Sequence, residues 1–144
     1  MDRSEDRAHI VTKLSRFFAG RPGIRLAYLF GSVAKQRQTE ESDVDVAVLF
    51  DPGYTYDTVR HLQSELTDLL HREVDLVVLN ESNPLVAKAA TQGVLLWGRN
   101  KLEPLYYRAQ ADREADDWVE FVNSYLVLLQ QKRAGGRHGN TPGA

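Results

Sequence analysis

The chain contains no cysteine and no long apolar run, and these two absences exclude several classes of protein. With no cysteine among 144 residues, disulfide-stapled folds, zinc–thiolate sites and cysteine nucleophiles are excluded. The longest apolar runs, such as YLVLL at Tyr125 to Leu129, are far shorter than the ~20 residues that span a bilayer. The N-terminal sequence MDRSEDRAHI lacks the apolar core of a signal peptide. We therefore expect a cytoplasmic protein that does not interact with membranes.

An excess of basic charge is also missing from most of the chain. The 18 basic and 20 acidic residues give a net charge of −2, and the last thirteen positions hold Lys132, Arg133 and Arg137 but no acid. The other 15 basic and 20 acidic residues leave residues 1–131 at −5. Proteins that bind nucleic acid usually carry a basic surface. Direct nucleic-acid binding is therefore not expected.

Several sequence motifs of common enzymes are absent as well. The sequence has no G-x-x-x-x-G-K, no G-x-G-x-x-G and no G-x-S-x-G, so a Walker ATPase, a dinucleotide enzyme and a serine hydrolase lack their motifs. The four histidines have no metal-ligand spacing. A site that uses Cys or His is therefore not indicated.

The size and composition fit one globular domain. A chain of 144 residues with 42% hydrophobic residues can close one hydrophobic core without covalent staples. We predict one domain over residues 1–131. The Gly-rich basic segment 132–144 is predicted to be a disordered tail.

Helical and strand periodicities alternate along the domain. Apolar residues at three- and four-residue steps predict helices over Ser4–Ala19, Asp57–Leu70, Pro84–Ala90 and from Pro104 to about Gln131. Branched and alternating segments predict strands over Ile24–Phe30, Asp43–Phe50, Glu73–Leu79 and Val94–Trp97. This alternation indicates an α/β fold, a small sheet flanked by helices with a long C-terminal helix. The strand directions stay open at this point.

The last predicted helix is unusually apolar. Nine of the twelve residues from Trp118 to Leu129 are apolar, more than one stripe on a solvated helix needs. The helix either closes the open face of the sheet or packs against a partner. An acidic stretch on the same helix is either a solvated face or a contact for a basic partner; its members are Asp112, Glu114, Asp116, Asp117 and Glu120.

Three aspartates on two predicted strands are the candidate catalytic residues. Asp43 and Asp45 are two residues apart on one strand, so their side chains point to the same face. Asp75 lies within the apolar strand VDLVVL. If these two strands are neighbours, the three carboxylates converge.

Three converging carboxylates need a counter-charge. Two unit charges ~4 Å apart repel by roughly 4 kcal/mol at an effective dielectric near 20. Mg²⁺ favours carboxylate, water and phosphate oxygens, and two such ions can promote in-line displacement at phosphorus. Gly31 and Ser32 directly follow the first strand. A glycine lets phosphate approach the backbone, and backbone amides and a hydroxyl can donate to it.

The combined pattern G-S-x10-D-x-D-x-x-V, with an Asp in a later apolar strand, resembles the DNA polymerase β nucleotidyltransferase superfamily. Within it, residues 1–131 are most similar to minimal nucleotidyltransferases, the MNT-type antitoxins encoded beside HEPN-domain toxins. The resemblance implies a mixed sheet and Mg²⁺-dependent transfer of AMP from ATP to a tyrosine hydroxyl of a HEPN toxin, which is a ribonuclease. It also implies that Gly31 and Ser32 hold the triphosphate, and that Asp43, Asp45 and Asp75 are the catalytic metal ligands.

One position departs from the family pattern, and two other functions stay open. Many relatives have G-S-x-A-x-G, whereas Gln36 occupies the position of the second glycine here. The nearby Lys35 and Arg37 either contact phosphate or are solvated surface charges. One alternative function is a binding-only antitoxin that masks the toxin. The other is a small-molecule nucleotidyltransferase of the aminoglycoside type, which ordinarily needs additional residues to form a substrate pocket.

Overall fold

The computed structural model describes residues 3–34 and 43–139. Five helices and four strands occur in this part of the chain. In chain order they are α1 (Arg3–Phe18), β1 (Ile24–Phe30), α2 (Gly31–Ala34), β2 (Val44–Phe50), α3 (Tyr56–Leu70), β3 (Val74–Val78), α4 (Pro84–Thr91), β4 (Val94–Gly98) and α5 (Leu102–Gly139). The four predicted strands and the four predicted helices are confirmed, with small shifts at most of their ends. The short helix α2 was not predicted from the sequence. It begins at Gly31, whose φ of +78° turns the chain out of β1, and we call this point the glycine turn.

The strands form one mixed sheet in the order β3-β2-β1-β4. β1 is antiparallel to both β2 and β4, whereas β2 and β3 are parallel. The parallel pair requires a crossover, which α3 provides. The predicted α/β fold with a small mixed sheet is therefore confirmed, and the strand directions are settled.

Helices cover both faces of the sheet, and the pleat determines which strand residues each face receives. Val44, Val46 and Val48 pack with buried residues of α1 and α3 in the larger core cluster. Ala47 and Leu49 point the other way and pack with Ala90 of α4. The alternation predicted for this strand is therefore confirmed.

Local capping explains where two of the helices begin. The side chain of Thr55 accepts a hydrogen bond from the backbone N–H of Thr58, and the backbone N–H of Thr55 donates to the hydroxyl of Thr58. The two bonds form a capping box. The side chain of Asn83 caps α4, and Pro84 occupies its first turn, where no intrahelical donor is needed. These caps help to fix the crossover helix α3 and the helix α4 at the ends of the sheet.

The last helix, α5, runs from Leu102 to Gly139. The predicted end near Gln131, with a disordered tail from residue 132, is therefore wrong for residues 132–139, and residues 140–144 lie outside the described part. Lys132, Arg133 and Ala134 are good helix formers, no proline occurs before Pro142, and cations stabilise the C-terminal end of a helix. The glycine content of this segment, taken alone, favours disorder.

Only the first half of α5 packs on the domain. Ala111 and Ala115 are buried, and Tyr107 packs on the cluster beneath the helix. Arg25 of β1 forms an ion pair with Glu103 at the start of α5. From Trp118 onward the large apolar side chains are exposed or only half-buried, so closure of the sheet explains the first half of the helix and not the second.

Across residues 3–34 and 43–139, no helix has both the length and the apolar character needed to cross a membrane.

Candidate functional site

The predicted site residues gather at one end of the sheet. Gly31 follows the C-terminal end of β1, and the antiparallel β2 begins beside it with Val44. Because β3 is parallel to β2, Asp75 at its start lies at the same end. The sheet therefore brings together the glycine turn and the aspartates, which are separated by up to 44 residues in the sequence.

Asp45 and Asp75 are directly paired across neighbouring strands. The β2–β3 register places Asp45 beside Asp75, and the β1–β2 register places Phe30 on the other side of Asp45. Neighbouring strands are ~4.8 Å apart, and residues in register point to the same face. The predicted neighbourhood of the two strands is confirmed. Asp43, two residues before Asp45, precedes β2 and is exposed.

The electrostatics of Asp45 reflect its acidic neighbours. Partial burial raises the pKa of the Asp45 carboxyl above its usual value, and the negative charges of Asp75 and Asp43 raise this pKa further. In the described part of the chain none of the three aspartates forms an ion pair. Within residues 3–34 and 43–139, the cluster therefore has no basic side chain paired with it.

The chemical type of these three side chains suits a divalent cation. The three groups are hard oxygen donors, and Mg²⁺ commonly uses one or two carboxylates and completes its shell with water and substrate phosphate. Among the described residues, however, no three acidic or histidine side chains are arranged to hold an ion by themselves. Any cation at Asp45 must therefore take further ligands from solvent or nucleotide.

Gly31 is in a position that only glycine fits. Its φ of +78° lies in the left-handed region, and a Cβ built on it would lie 2.2 Å from Asp45 Oδ2 and 3.1 Å from Asp45 Cγ. The turn after β1 is therefore in direct contact with the carboxylate of the next strand. This contact links the two halves of the predicted motif.

A cavity of about 310 Å³ opens on the other side of Gly31. Gly31 and Ala34 form one wall, Gln92 and Gly93 form another, and Arg7 of α1 lies on a third side. Its volume falls at the lower end of the range of ligand pockets. Arg7 is not among the predicted site residues, although its position three residues before the buried Ile10 places it near the inner face of α1.

Other predicted residues contribute less to the observed geometry. The backbone of Ser32 lies in α2, but its side chain, together with Lys35, Gln36 and Arg37, lies outside the described part of the chain. Their predicted roles stay predictions. A larger cavity, of about 620 Å³, lies at the opposite end of the sheet, between the turn before β1 and the start of α3. It contains none of the predicted site residues.

Comparisons with known proteins identify the family of this chain. A family model described as Polymerase beta, Nucleotidyltransferase matches residues 12–102, which include Gly31, Asp43, Asp45 and Asp75. The protein adenylyltransferase MntA of Shewanella oneidensis is 36% identical over 105 residues, which cover 65% of this chain and 74% of MntA. A Methanocaldococcus jannaschii protein, provisionally named a protein adenylyltransferase, is 38% identical over 64 residues, or 44% of this chain and 69% of that protein.

Solved structures show the same fold. A chain in a crystal structure of a toxin–antitoxin with AMP-PNP superposes with a TM-score of 0.69 at 23% identity, covering 85% of this chain and 97% of that one. A structure of the tri-AMPylated Shewanella oneidensis HEPN toxin in complex with MNT antitoxin gives a TM-score of 0.68 at 19% identity, covering 86% and 98%. With its sheet, its glycine turn and its paired aspartates, this chain belongs to the polymerase β nucleotidyltransferase family and is a homologue of the MntA protein adenylyltransferase.

Proposed function

We propose that this chain is an antitoxin that transfers AMP from ATP to a tyrosine hydroxyl of a HEPN-domain toxin. The observation that carries the proposal is the contact between Gly31 and Asp45, with Asp75 in register on the next strand. This geometry supports a site in which the triphosphate binds at the glycine turn, beside the paired carboxylates. The 36% identity to a protein adenylyltransferase supports the reaction class.

The proposed reaction is an in-line displacement at the α-phosphorus of ATP. The tyrosine oxygen forms a bond to this phosphorus, the bond to the bridging oxygen of the β-phosphate breaks, and pyrophosphate leaves. The proton of the tyrosine hydroxyl passes to the Asp75 carboxylate, which is exposed at the start of β3. Gly31 and Ser32 hold the triphosphate, so that the α-phosphorus lies over the aspartates.

Magnesium is part of this proposal. Two Mg²⁺ ions bound by Asp43, Asp45 and Asp75 would neutralise phosphate charge and lower the pKa of the attacking hydroxyl. The carboxylates orient the nucleotide. Partial burial and the charges of Asp75 and Asp43 raise the pKa of Asp45, which supports a role for a cation at this carboxylate. Among the described residues, no other group of side chains offers a comparable set of hard oxygen donors at the glycine turn.

The outer half of α5 is the proposed docking surface for the toxin. Trp118, Val122, Tyr125 and Leu129 recur at three- and four-residue steps and form one stripe, which we call the α5 stripe. Its flank includes the exposed side chains of Phe121, 63% exposed, and Leu128, 61% exposed. Large apolar groups of this kind, with nothing in the described chain to cover them, are typical of a protein interface.

Charge favours a ribonuclease as the occupant of the α5 stripe. Asp116, Asp117 and Glu120 are exposed at the start of the stripe. A ribonuclease needs basic residues to hold RNA phosphates, so its surface complements these acids. The same observation favours the second candidate function, a binding-only antitoxin, because docking alone would mask the toxin.

A transfer assay separates catalysis from masking. The chain is incubated with Mg²⁺, α-labelled ATP and the purified product of the adjacent gene. We expect label on a tyrosine of that product, and loss of the label with Asp45→Asn but not with Asp68→Asn, which makes the same change at an exposed position of α3. If Asp45→Asn neutralises the toxin as well as the wild type and no label forms, the protein acts by binding alone.

A second pair of variants tests the docking surface. Phe121→Asp places a charge beside the α5 stripe, whereas Asn123→Asp places the same charge on the opposite side of the helix. We expect only Phe121→Asp to abolish co-purification with the toxin, with an unchanged melting temperature. If the wild type alone is a dimer that Phe121→Asp dissociates, the stripe joins two copies of this chain and the docking proposal is wrong.

A further inference from the structure

Arg7 is the one charged residue among the described residues that line the cavity beside Gly31. The other walls come from the glycine turn, the end of α4 and the first residue of β4, and apart from the Gln92 amide their side chains are apolar or absent. A single cation in a small cavity attracts an anion, because the low-dielectric walls strengthen its field.

The guanidinium of Arg7 is not fully satisfied within the protein. Its Nε is buried and has no hydrogen-bond partner among the described residues. A buried donor without a partner costs about 1–3 kcal/mol, and more when it is charged. Structural arginines in this chain differ, since Arg21 and Arg25 are each paired with a glutamate. Among the residues that the structure describes, Arg7 therefore forms no ion pair with a carboxylate.

The order of the strands puts Arg7 on the side of Gly31 that is away from the aspartates, where the outer phosphates of a triphosphate would lie. The aspartates lie on β2 and β3, Gly31 follows the adjacent β1, and the cavity with Arg7 opens towards β4. A nucleotide whose α-phosphate lies over Asp45 and whose chain crosses Gly31 places its outer phosphates at the cavity. Guanidinium groups match phosphate oxygens with two parallel hydrogen bonds.

We propose that Arg7 binds the β- and γ-phosphates of ATP in the cavity beside Gly31. This inference rests on the proposed function, because it assumes that ATP is the donor. It assigns to α1 a phosphate contact that lies outside the G-S and D-x-D motifs. Arg7 then favours a triphosphate over a monophosphate and keeps the pyrophosphate leaving group in place.

Calorimetric titration with ATP and with AMP tests the assignment. Wild type, Arg7→Gln and Arg16→Gln are titrated in Mg²⁺ without toxin, so that no acceptor is present. Arg16→Gln removes the same charge from an exposed position of α1. We expect Arg7→Gln to weaken ATP binding about 10- to 100-fold, as for a charge-assisted hydrogen bond, and to leave AMP binding unchanged, while Arg16→Gln changes neither.

The remaining outcomes overturn the inference. If Arg7→Gln binds ATP as tightly as the wild type, or loses ATP and AMP affinity equally, Arg7 does not contact the outer phosphates. If the wild type itself does not bind ATP, the proposed function fails along with this inference. Arg7→Lys keeps the charge and gives a second variant should Arg7→Gln not fold. Its ATP affinity is expected between those of Arg7→Gln and the wild type, and an unchanged affinity excludes the bidentate contact.

Discussion

Replacing Gly31 by alanine tests the contact on which the candidate site depends. At φ +78° any residue with a Cβ is strained by roughly 1–2 kcal/mol. The new methyl would also lie 2.2 Å from Asp45 Oδ2 and 3.3 Å from Asp45 Cβ. Rotation of the carboxylate relieves the first contact but not the second. Asp45 Cβ must therefore shift by a few tenths of an ångström, and Oδ2 must swing away by about 1 Å. A misplacement of about 1 Å at a catalytic oxygen can cost about 100-fold in rate.

Gly20→Ala is the matched control for this prediction. Gly20 has a similar φ of +71°, but a Cβ there meets no atom within 4 Å. Both variants should lose roughly 1–2 kcal/mol of stability from backbone strain, measured by urea unfolding. Only Gly31→Ala should lose about 100-fold in the rate of AMP transfer to the toxin, measured with α-labelled ATP at saturating toxin.

The comparison of Gly31→Ala with Gly20→Ala separates a local effect on Asp45 from general destabilisation. If Gly31→Ala transfers AMP as fast as Gly20→Ala, the approach of Gly31 to Asp45 does not position the carboxylate for catalysis. If both variants lose the same activity, the loss comes from general destabilisation and the reasoning is again refuted.

Further predictions concern the charges and the packing of the same domain. Because its folded-state pKa is raised, Asp45 stabilises the fold only while protonated, and this contribution is lost as the pH rises through that pKa. Asp45→Asn should therefore raise Tm at pH 7 by up to about 4 °C, which corresponds to about 1 kcal/mol or less after solvent screening. This gain in Tm should vanish below about pH 4. An equal gain in Tm at pH 7 and below pH 4 would contradict the prediction. Millimolar Mg²⁺ with ATP should raise the Tm of the wild type and not of Asp45→Asn, by mass action on the folded state; equal shifts in thermal scans would place the ion elsewhere. Leu66→Ala, at a fully buried position of α3, should cost about 2–5 kcal/mol in urea unfolding, whereas Leu105→Ala, at an exposed position of α5, should cost little.

Residue patterning predicts the four strands and every helix except α2, and it predicts that Asp43 and Asp45 share a face. Val44, Val46 and Val48 point to the α1–α3 face of the sheet, and two-residue periodicity then turns Asp45 to the face that α4 covers. The direction of β3 could not be derived, because the direction of a strand depends on how the chain crosses the sheet, and α3 could connect either arrangement. The in-register pairing of Asp45 with Asp75 follows only from that crossover.

Long-range contacts could not be predicted from the sequence for a related reason. The approach of Gly31 to Asp45 depends on the exact geometry after β1, and the sequence only shows that a glycine is present. Arg7 looks like an ordinary surface cation at the start of an amphipathic helix, because its burial requires α4 and the glycine turn to close around it. The extension of α5 was underestimated, since glycine content outweighed the helix-forming Lys132 to Ala134.

The parallel register of β2 and β3 also limits how the sequence can change without loss of the site. Adding or removing one residue inside β3 would turn Asp75 to the α1–α3 face and place Val74 or Leu76 beside Asp45. A change of two residues would restore the face but shift the carboxylate by about 6–7 Å along the strand. Length variation among homologues that remain active should therefore concentrate in the turns before α3 and before β3, and avoid the strands themselves.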